Sequence, residues 1–269
     1  KKVKVIVNIG RLLNGCELDP DKITRKLNKR IGEYFDFKYK LDDFNLSGMR
    51  LVTDINVGSH ENVQAYLKVF RRISRVKGFS PVSYECFEDI DCFCLDGNSS
   101  GVEFMIYDLV GSYRKQLKEG DTGRKRIKGL IKESEGILRT EVRLAKTKAV
   151  RVYAGEKDIF RQIINLSEKC QDIFLAIFVK IIPFGDFYKK GKAEEIIWRE
   201  IKDARLRRRM LRLVELIPEK KSLYLAQKAM NCRGIEEVME EFARINVSPV
   251  TISKRHEVKY LRSLYSYFL

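Results

Sequence analysis

Little in this 269-residue chain suits a thiolate metal centre or a membrane span. Its six cysteines, Cys16, Cys86, Cys92, Cys94, Cys170 and Cys232, contain no pair at two-residue spacing, whereas a structural zinc site asks for two separated pairs. Cys92 and Cys94 share one face of an expected strand and read as small core residues. Only two histidines, His60 and His256, are present. No apolar run reaches the ~18 residues of a transmembrane helix, and the start is charged rather than signal-like, so the chain reads as soluble and cytoplasmic, with no membrane partner. Glu119 to Gly129 is glycine-rich and basic, yet lacks the spacing and the Gly-Lys-Ser/Thr ending of a nucleotide-binding loop. Internal repeats and low-complexity tracts are missing. The chain begins at Lys1 without a methionine, as a processed form or a piece of a longer protein would.

What it has in surplus is positive charge. Lys and Arg number 53 against 37 Asp and Glu, a net charge of +16, with a pI near 9.5. Such a balance favours a polyanionic partner, nucleic acid first, over the plainer reading of a generally basic protein. At 31.5 kDa the chain can bury a full core and make one large domain with a smaller one.

The stretch with the most chemistry is Val102 to Asp108. Strand side chains alternate, so Val102, Phe104 and Ile106 share one face while Glu103, Met105 and Tyr107 share the other. The turn-rich Asp96-Gly97-Asn98-Ser99-Ser100-Gly101 and the preceding Cys92 to Leu95 predict a hairpin partner, and a helix is expected just after Tyr107. Two further segments alternate in the same way. In Met49 to Val57 the polar side carries Arg50, Asp54 and Asn56. In Ile137 to Leu144 it carries Arg139, Glu141 and Arg143, opposite Leu138, Thr140, Val142 and Leu144. Stacked in one antiparallel sheet, these strands would gather Asp54, Glu103, Tyr107 and Glu141 on a face rimmed by arginines. Each acid taken alone is explained by an ion pair with a neighbouring arginine. Two or three converging carboxylates instead make a hard-oxygen site for Mg2+ or Mn2+, and a metal beside a tyrosine can polarise a phosphodiester for attack by the phenolate.

The run Gly101 to Leu109 resembles the strand-to-helix segment that holds the nucleophilic tyrosine in filamentous-phage and related plasmid replication initiators. Ile137-Leu138-Arg139-Thr140-Glu141-Val142-Arg143-Leu144 is similar to their later acid-bearing strand, of the form Arg-x-Glu-x-Arg. Leu51-Val52-Thr53-Asp54-Ile55-Asn56, followed by a helix, resembles their earlier Arg-x-Asp strand. The three blocks agree in order and spacing between residues 45 and 150. The resemblance implies a rolling-circle initiator, an endonuclease that nicks single-stranded or melted origin DNA and stays joined to the 5′ phosphate through tyrosine. Carried over by position, Tyr107 is the nucleophile and Asp54 and Glu141 hold the Mg2+ or Mn2+; Glu103 joins them from strand parity. Arg50, Arg139 and Arg143 are the candidates to stabilise charge on the phosphate. The implied partners are origin DNA and a host helicase and polymerase, with a homodimer left open. Tyr113 is a second candidate nucleophile. Many relatives carry two histidines separated by one apolar residue, and neither His60 nor His256 belongs to such a pair. That departure fits an acidic-cluster branch, and equally a non-cleaving copy.

Elsewhere, Val3 to Ile9 alternates loosely and predicts a strand, and Asp19-Pro20 starts a helix that runs to Glu33. Tyr34, Phe35, Phe37, Tyr39 and Phe44 are interleaved with lysines. They can stack bases, but burial in a core is the preferred reading. Ser59 to Val76 predicts a helix with Val63, Tyr66, Leu67, Phe70 and Ile73 on its inner face and His60 at its start. Pro81 to Phe87 predicts a strand and Leu109 to Lys118 a helix. Glu119 to Gly129 reads as a flexible basic loop whose Arg124, Lys125 and Arg126 grip the strand beside the nick.

Beyond residue 150 the period changes from two to 3.6, dividing the chain into an α+β nicking domain (1–150) and a helical, DNA-binding region (151–269). Ile159 to Ile182 reads as one long helix and Ala193 to Leu216 as another. The second carries Arg205, Arg207, Arg208, Arg209 and Arg212, of which Arg205, Arg208 and Arg209 are taken as DNA contacts against the alternative of a solvated face. Pro218 opens a helical pair, Ser222 to Met230 and Ile235 to Arg244, which can form a helix-turn-helix or plain helical support. The expected architecture is α+β, an antiparallel sheet with packed helices of the replication-initiator or relaxase kind and a mostly helical C-terminal region. The expected activity is metal-dependent strand nicking and religation; the alternative is a non-cleaving, sequence-specific DNA-binding replication initiator.

Overall fold

In the computed structural model, which describes residues 3–14, 19–85, 88–119, 123–231 and 234–268, the chain opens without the strand that its alternation suggests. Val3 and Ile6 stay exposed, because Val-Lys-Val-Ile-Val commits neither face and a strand needs a partner edge. Helix α1 (Ile9–Leu13) begins instead, with the Asn8 side chain accepting from Arg11 N at 3.0 Å. Helix α2 (Pro20–Tyr34) has Asp19 as its N-cap and Pro20 at its first position, where a missing N–H is tolerated. Strand β1 (Met49–Asn56) leads into α3 (His60–Arg71), capped by Ser59. Strand β2 is only Ser80–Pro81; of the longer strand expected there, residues 86 and 87 lie outside the described residues. The hairpin β3 (Cys92–Asp96) and β4 (Val102–Asp108) and helix α4 (Leu109–Lys118) then follow the sequence reading.

Helix α5 (Arg124–Glu133) occupies most of the segment expected to be a flexible loop. Its arginines, lysines, Leu130 and Glu133 are strong helix formers that outweigh Gly129, and Ile127 gives it a buried side; Gly120, Asp121 and Thr122 lie outside the described residues. Strand β5 (Ile137–Leu144) and helix α6 (Thr147–Ala154) come next. The single helix expected from Ile159 is two, α7 (Ile159–Glu168) and α8 (Cys170–Ile181); a one-residue break at Lys169 hardly disturbs the apolar pattern that predicts a helix. Strand β6 (Phe187–Tyr188) precedes α9 (Lys190–Glu200) and α10 (Ala204–Lys220), again two helices for one. Asp203 separates them, accepting from Leu206 N at 2.7 Å as a new N-cap. Pro218 falls inside the last turn of α10, where it loses one backbone bond without ending the helix. The pair α11 (Leu223–Met230) and α12 (Ile235–Arg244) is as expected, and β7 (Tyr260–Leu261) pairs antiparallel with β6. Among the described residues no helix is long and apolar enough to cross a membrane.

The architecture is α+β, and the chain divides into two compact units. One comprises Lys1–Leu51, Ser99–Val102 and Arg143–Ala176; the other Val52–Asn98, Glu103–Val142 and Ile177–Leu269. In the first, Leu13, Ile23, Leu27, Ile31, Leu41, Ile159 and Ile163 form the core, with Phe35 and Phe44 packed against it. The preferred core reading fails for Tyr34, Phe37 and Tyr39, which are exposed: the left-handed turn at Asp36 and Phe37 leaves the Phe37 ring open, and Tyr34 and Tyr39 meet the core only at its edge, against Phe35, at centroid distances of 5.1 and 5.5 Å.

The larger sheet has the order β1-β5-β4-β3-β2. Strands β3 and β4 pair antiparallel, Cys92 opposite Tyr107 and Asp96 opposite Glu103. Backbone bonds of 2.8 Å from Val57 N to Gly136 O and from Ala145 N to Gly101 O set β5 antiparallel to both its neighbours. Gly136 has φ 75 and an added Cβ would sit 2.8 Å from the Gly58 carbonyl carbon, so this corner requires glycine. One sheet face is aromatic and dry, with Phe93 packed on Phe70 of α3 and Phe104 on Phe178 at centroid distances of 6.3 and 6.1 Å. The other face carries the polar residues.

Candidate tyrosine–carboxylate site

Counting from the backbone bonds, Asp54 on β1, Arg139 on β5, Tyr107 on β4 and Cys92 on β3 fall in one row across the sheet. Arg139 stands in the middle. Its Nε and Nη2 donate to the two Asp54 carboxylate oxygens, both at 2.6 Å, a bidentate fork that fixes the guanidinium plane. On the diagonal, the Tyr107 hydroxyl donates to Glu141 Oε1 at 2.6 Å. Arg139 also faces the Tyr107 hydroxyl. Tyr107 and Glu141 are each only 5% exposed, and Ile90, Met105 and Leu109 cover the ring, with Val82, Tyr84 and Tyr113 packed around them.

This setting decides protonation. Burial, and then the charge of Glu141 and the hydrogen bond to it, push the Tyr107 phenol well above its usual range, against a weaker opposing pull from Arg139. The Asp54 hydrogen bond raises the Arg139 guanidinium still further, so it remains a cation. What the group can do chemically is hold a neutral phenol whose proton already points at a carboxylate, beside a fixed positive charge.

The seven residues picked by strand parity, Arg50, Asp54, Glu103, Tyr107, Arg139, Glu141 and Arg143, all have the parity of that face. Four of them meet: Asp54, Arg139, Tyr107 and Glu141. Glu103 stands opposite Asp96, with Met105 between it and Tyr107. Four residues of strand put it about 13 Å from Tyr107 along β4. Arg50 is exposed on β1 and Arg143 half-buried on β5.

A divalent ion does not fit the acids as they stand. Both Asp54 oxygens are taken by Arg139, and a cation there would meet the guanidinium charge head-on. Glu141 already receives the Tyr107 proton. Among the described residues no three His, Cys, Asp or Glu side chains come together to hold a metal.

Of the residues read as DNA contacts, Arg124, Lys125 and Arg126 are exposed in the first turn of α5, and Arg205 and Arg208 are exposed on α10. Arg209 has internal partners, Glu237 Oε2 at 2.9 Å and Gly234 O at 2.5 Å, and ties α10 to the start of α12. Sequence reasoning missed Asp108. It is buried, caps α4 through Val110 N at 3.0 Å, and lies 3.7 Å from His60 Nδ1. The signal was an aspartate directly before a helical run. Also missed was the stack of Arg207 on Trp198, 4.2 Å from guanidinium carbon to ring centroid. No family model, curated protein or solved structure matches the chain.

Proposed function

We propose that the chain is a DNA-binding replication initiator of the rolling-circle kind and that Tyr107 is its strand-cleaving group. The observation that carries this is the Tyr107 hydroxyl placed 2.6 Å from Glu141 with Arg139 beside it. In the reaction, Tyr107 Oη attacks the phosphorus of a single-stranded or melted origin, and its proton passes to Glu141. The P–O3′ bond breaks as the P–Oη bond forms, and the 3′ oxygen takes a proton from water. Arg139 stabilises the added charge on the phosphoryl oxygens. The products are a 5′ phosphotyrosyl link and a 3′ hydroxyl that a host polymerase extends behind a helicase, with religation as the reverse step. The net charge of +16 supports a DNA partner. The Mg2+ or Mn2+ that the resemblance implies would need Asp54 to leave Arg139, which holds both of its carboxylate oxygens.

A non-cleaving initiator is the second reading, favoured by one observation: a ring 5% exposed with its phenol pushed upward is poorly prepared to attack. One assay separates the two. Labelled single strands tiled over the DNA flanking the gene are incubated with the protein in EDTA, Mg2+ or Mn2+ and run on a denaturing gel. Nicking gives a covalent adduct on the downstream fragment that vanishes in Tyr107→Phe, and Glu141→Gln slows its formation about 10²- to 10⁴-fold. Tight binding without an adduct in any of the three conditions leaves the non-cleaving initiator.

A further inference from the structure

The end of α2 leaves two aromatic rings, Phe37 and Tyr39, largely open to solvent. Asp36 and Phe37 have φ of 50 and 58, a left-handed backbone that an aromatic residue such as Phe37 rarely adopts. Phe37 N donates to Gly32 O at 2.7 Å, which locks the turn. One face of the Phe37 ring lies on Gly32: an added Cβ there would meet the ring at 2.9 Å. The ring is nevertheless 75% exposed and Tyr39 50% exposed. Beside them opens a cleft of about 310 Å3 lined by Arg25, Asn28, Lys29, Phe37, Tyr39 and Lys40. Three cations and no carboxylate line it; Lys29 reaches Glu33 only at 3.8 Å on the open surface.

We propose that this cleft binds single-stranded nucleic acid, stacking one unpaired base on Phe37 and Tyr39 and holding the flanking phosphates with Arg25, Lys29 and Lys40. A flat ring held outward stacks any base through its π face, and a cation rim neutralises the backbone on either side. Inorganic phosphate has no use for the rings, and a duplex offers no unstacked base. The inference rests on the nucleic-acid reading above, but it involves residues other than Tyr107 and its partners.

The test uses the full chain and anisotropy of a labelled oligo-dT, with a duplex of equal length alongside, over a range of salt. Phe37→Ala weakens oligo-dT binding about 5- to 150-fold, Phe37→Trp retains it, and Gly32→Ala, which keeps the ring but shifts it, falls between. Lys29→Gln with Lys40→Gln lowers the salt slope by about 1.4. Phe37 is exposed, so its variants melt with the parent, and circular dichroism verifies this. Unchanged affinity in Phe37→Ala, or equal affinity for duplex, overturns the cleft alone. A parent chain that binds neither DNA overturns the cleft together with the initiator reading.

Discussion

Cys92 stands across the sheet from Tyr107, and its thiol is tuned by its neighbours. The hydrogen bond with Cys94 draws it down to about 7, with help from Arg71 and against the upward push of burial and Asp91. The folded state therefore favours the thiolate. Its contribution to stability is present above the ordinary thiol range and is lost as pH falls through about 7. Alkylation of the Cys92 peptide, followed by mass spectrometry against pH, has its midpoint near 7 in the parent; Cys94→Ala returns it toward roughly 8.5. A parent midpoint already at the ordinary value would refute the tuning. At this scale, strand alternation told which side chains share a face, and Tyr107 and Glu141 were legible as a pair of candidates for that reason. Register was not legible. A two-residue slip keeps every side chain on its face but exchanges every cross-strand neighbour, so the residues allowed an arginine partner for each acid without showing that Asp54 would pair with Arg139.

Elements with a long period and a local start signal were readable: β1, β4, β5, α3 and α4 form where alternation, helical spacing and capping residues agree. The β6–β7 pair was not, because two-residue strands have no period of their own. A remote carboxylate holds them. Asp186, buried before β6, accepts from Ser263 N at 2.7 Å and from the Tyr260 hydroxyl at 2.9 Å, while its own backbone bonds Asn246 O and Ser248 N at 3.1 and 2.8 Å. Asp186→Ala leaves a buried N–H and a hydroxyl without their acceptor, a loss of about 3 kcal/mol. In a domain of this size that lowers Tm by about 6–12 °C. Burial, with Asp186, also pushes the Tyr260 phenol up to about 12, so the same variant brings its ultraviolet titration back down. A melt within a degree of the parent would mean that the pair is held by packing instead.

For the whole molecule, composition announces a polyanion partner but not which cations are free to meet it. That depends on tertiary partners. Arg209 belongs to the most basic stretch of the chain, yet its guanidinium is engaged by Glu237 and Gly234; Arg124, Lys125 and Arg126 stand exposed on α5. Salt dependence tells these roles apart, because each phosphate contact releases condensed counterions while an internal ion pair releases none. Neutralising Arg124, Lys125 and Arg126 together should lower the slope of log K against log salt for single-stranded DNA by about 2. Arg209→Ala should leave that slope alone and lower the melting temperature, since it frees the start of α12. The opposite pattern, a flattened slope in Arg209→Ala and a parental slope in the triple variant, would move the DNA-binding surface from α5 to α10.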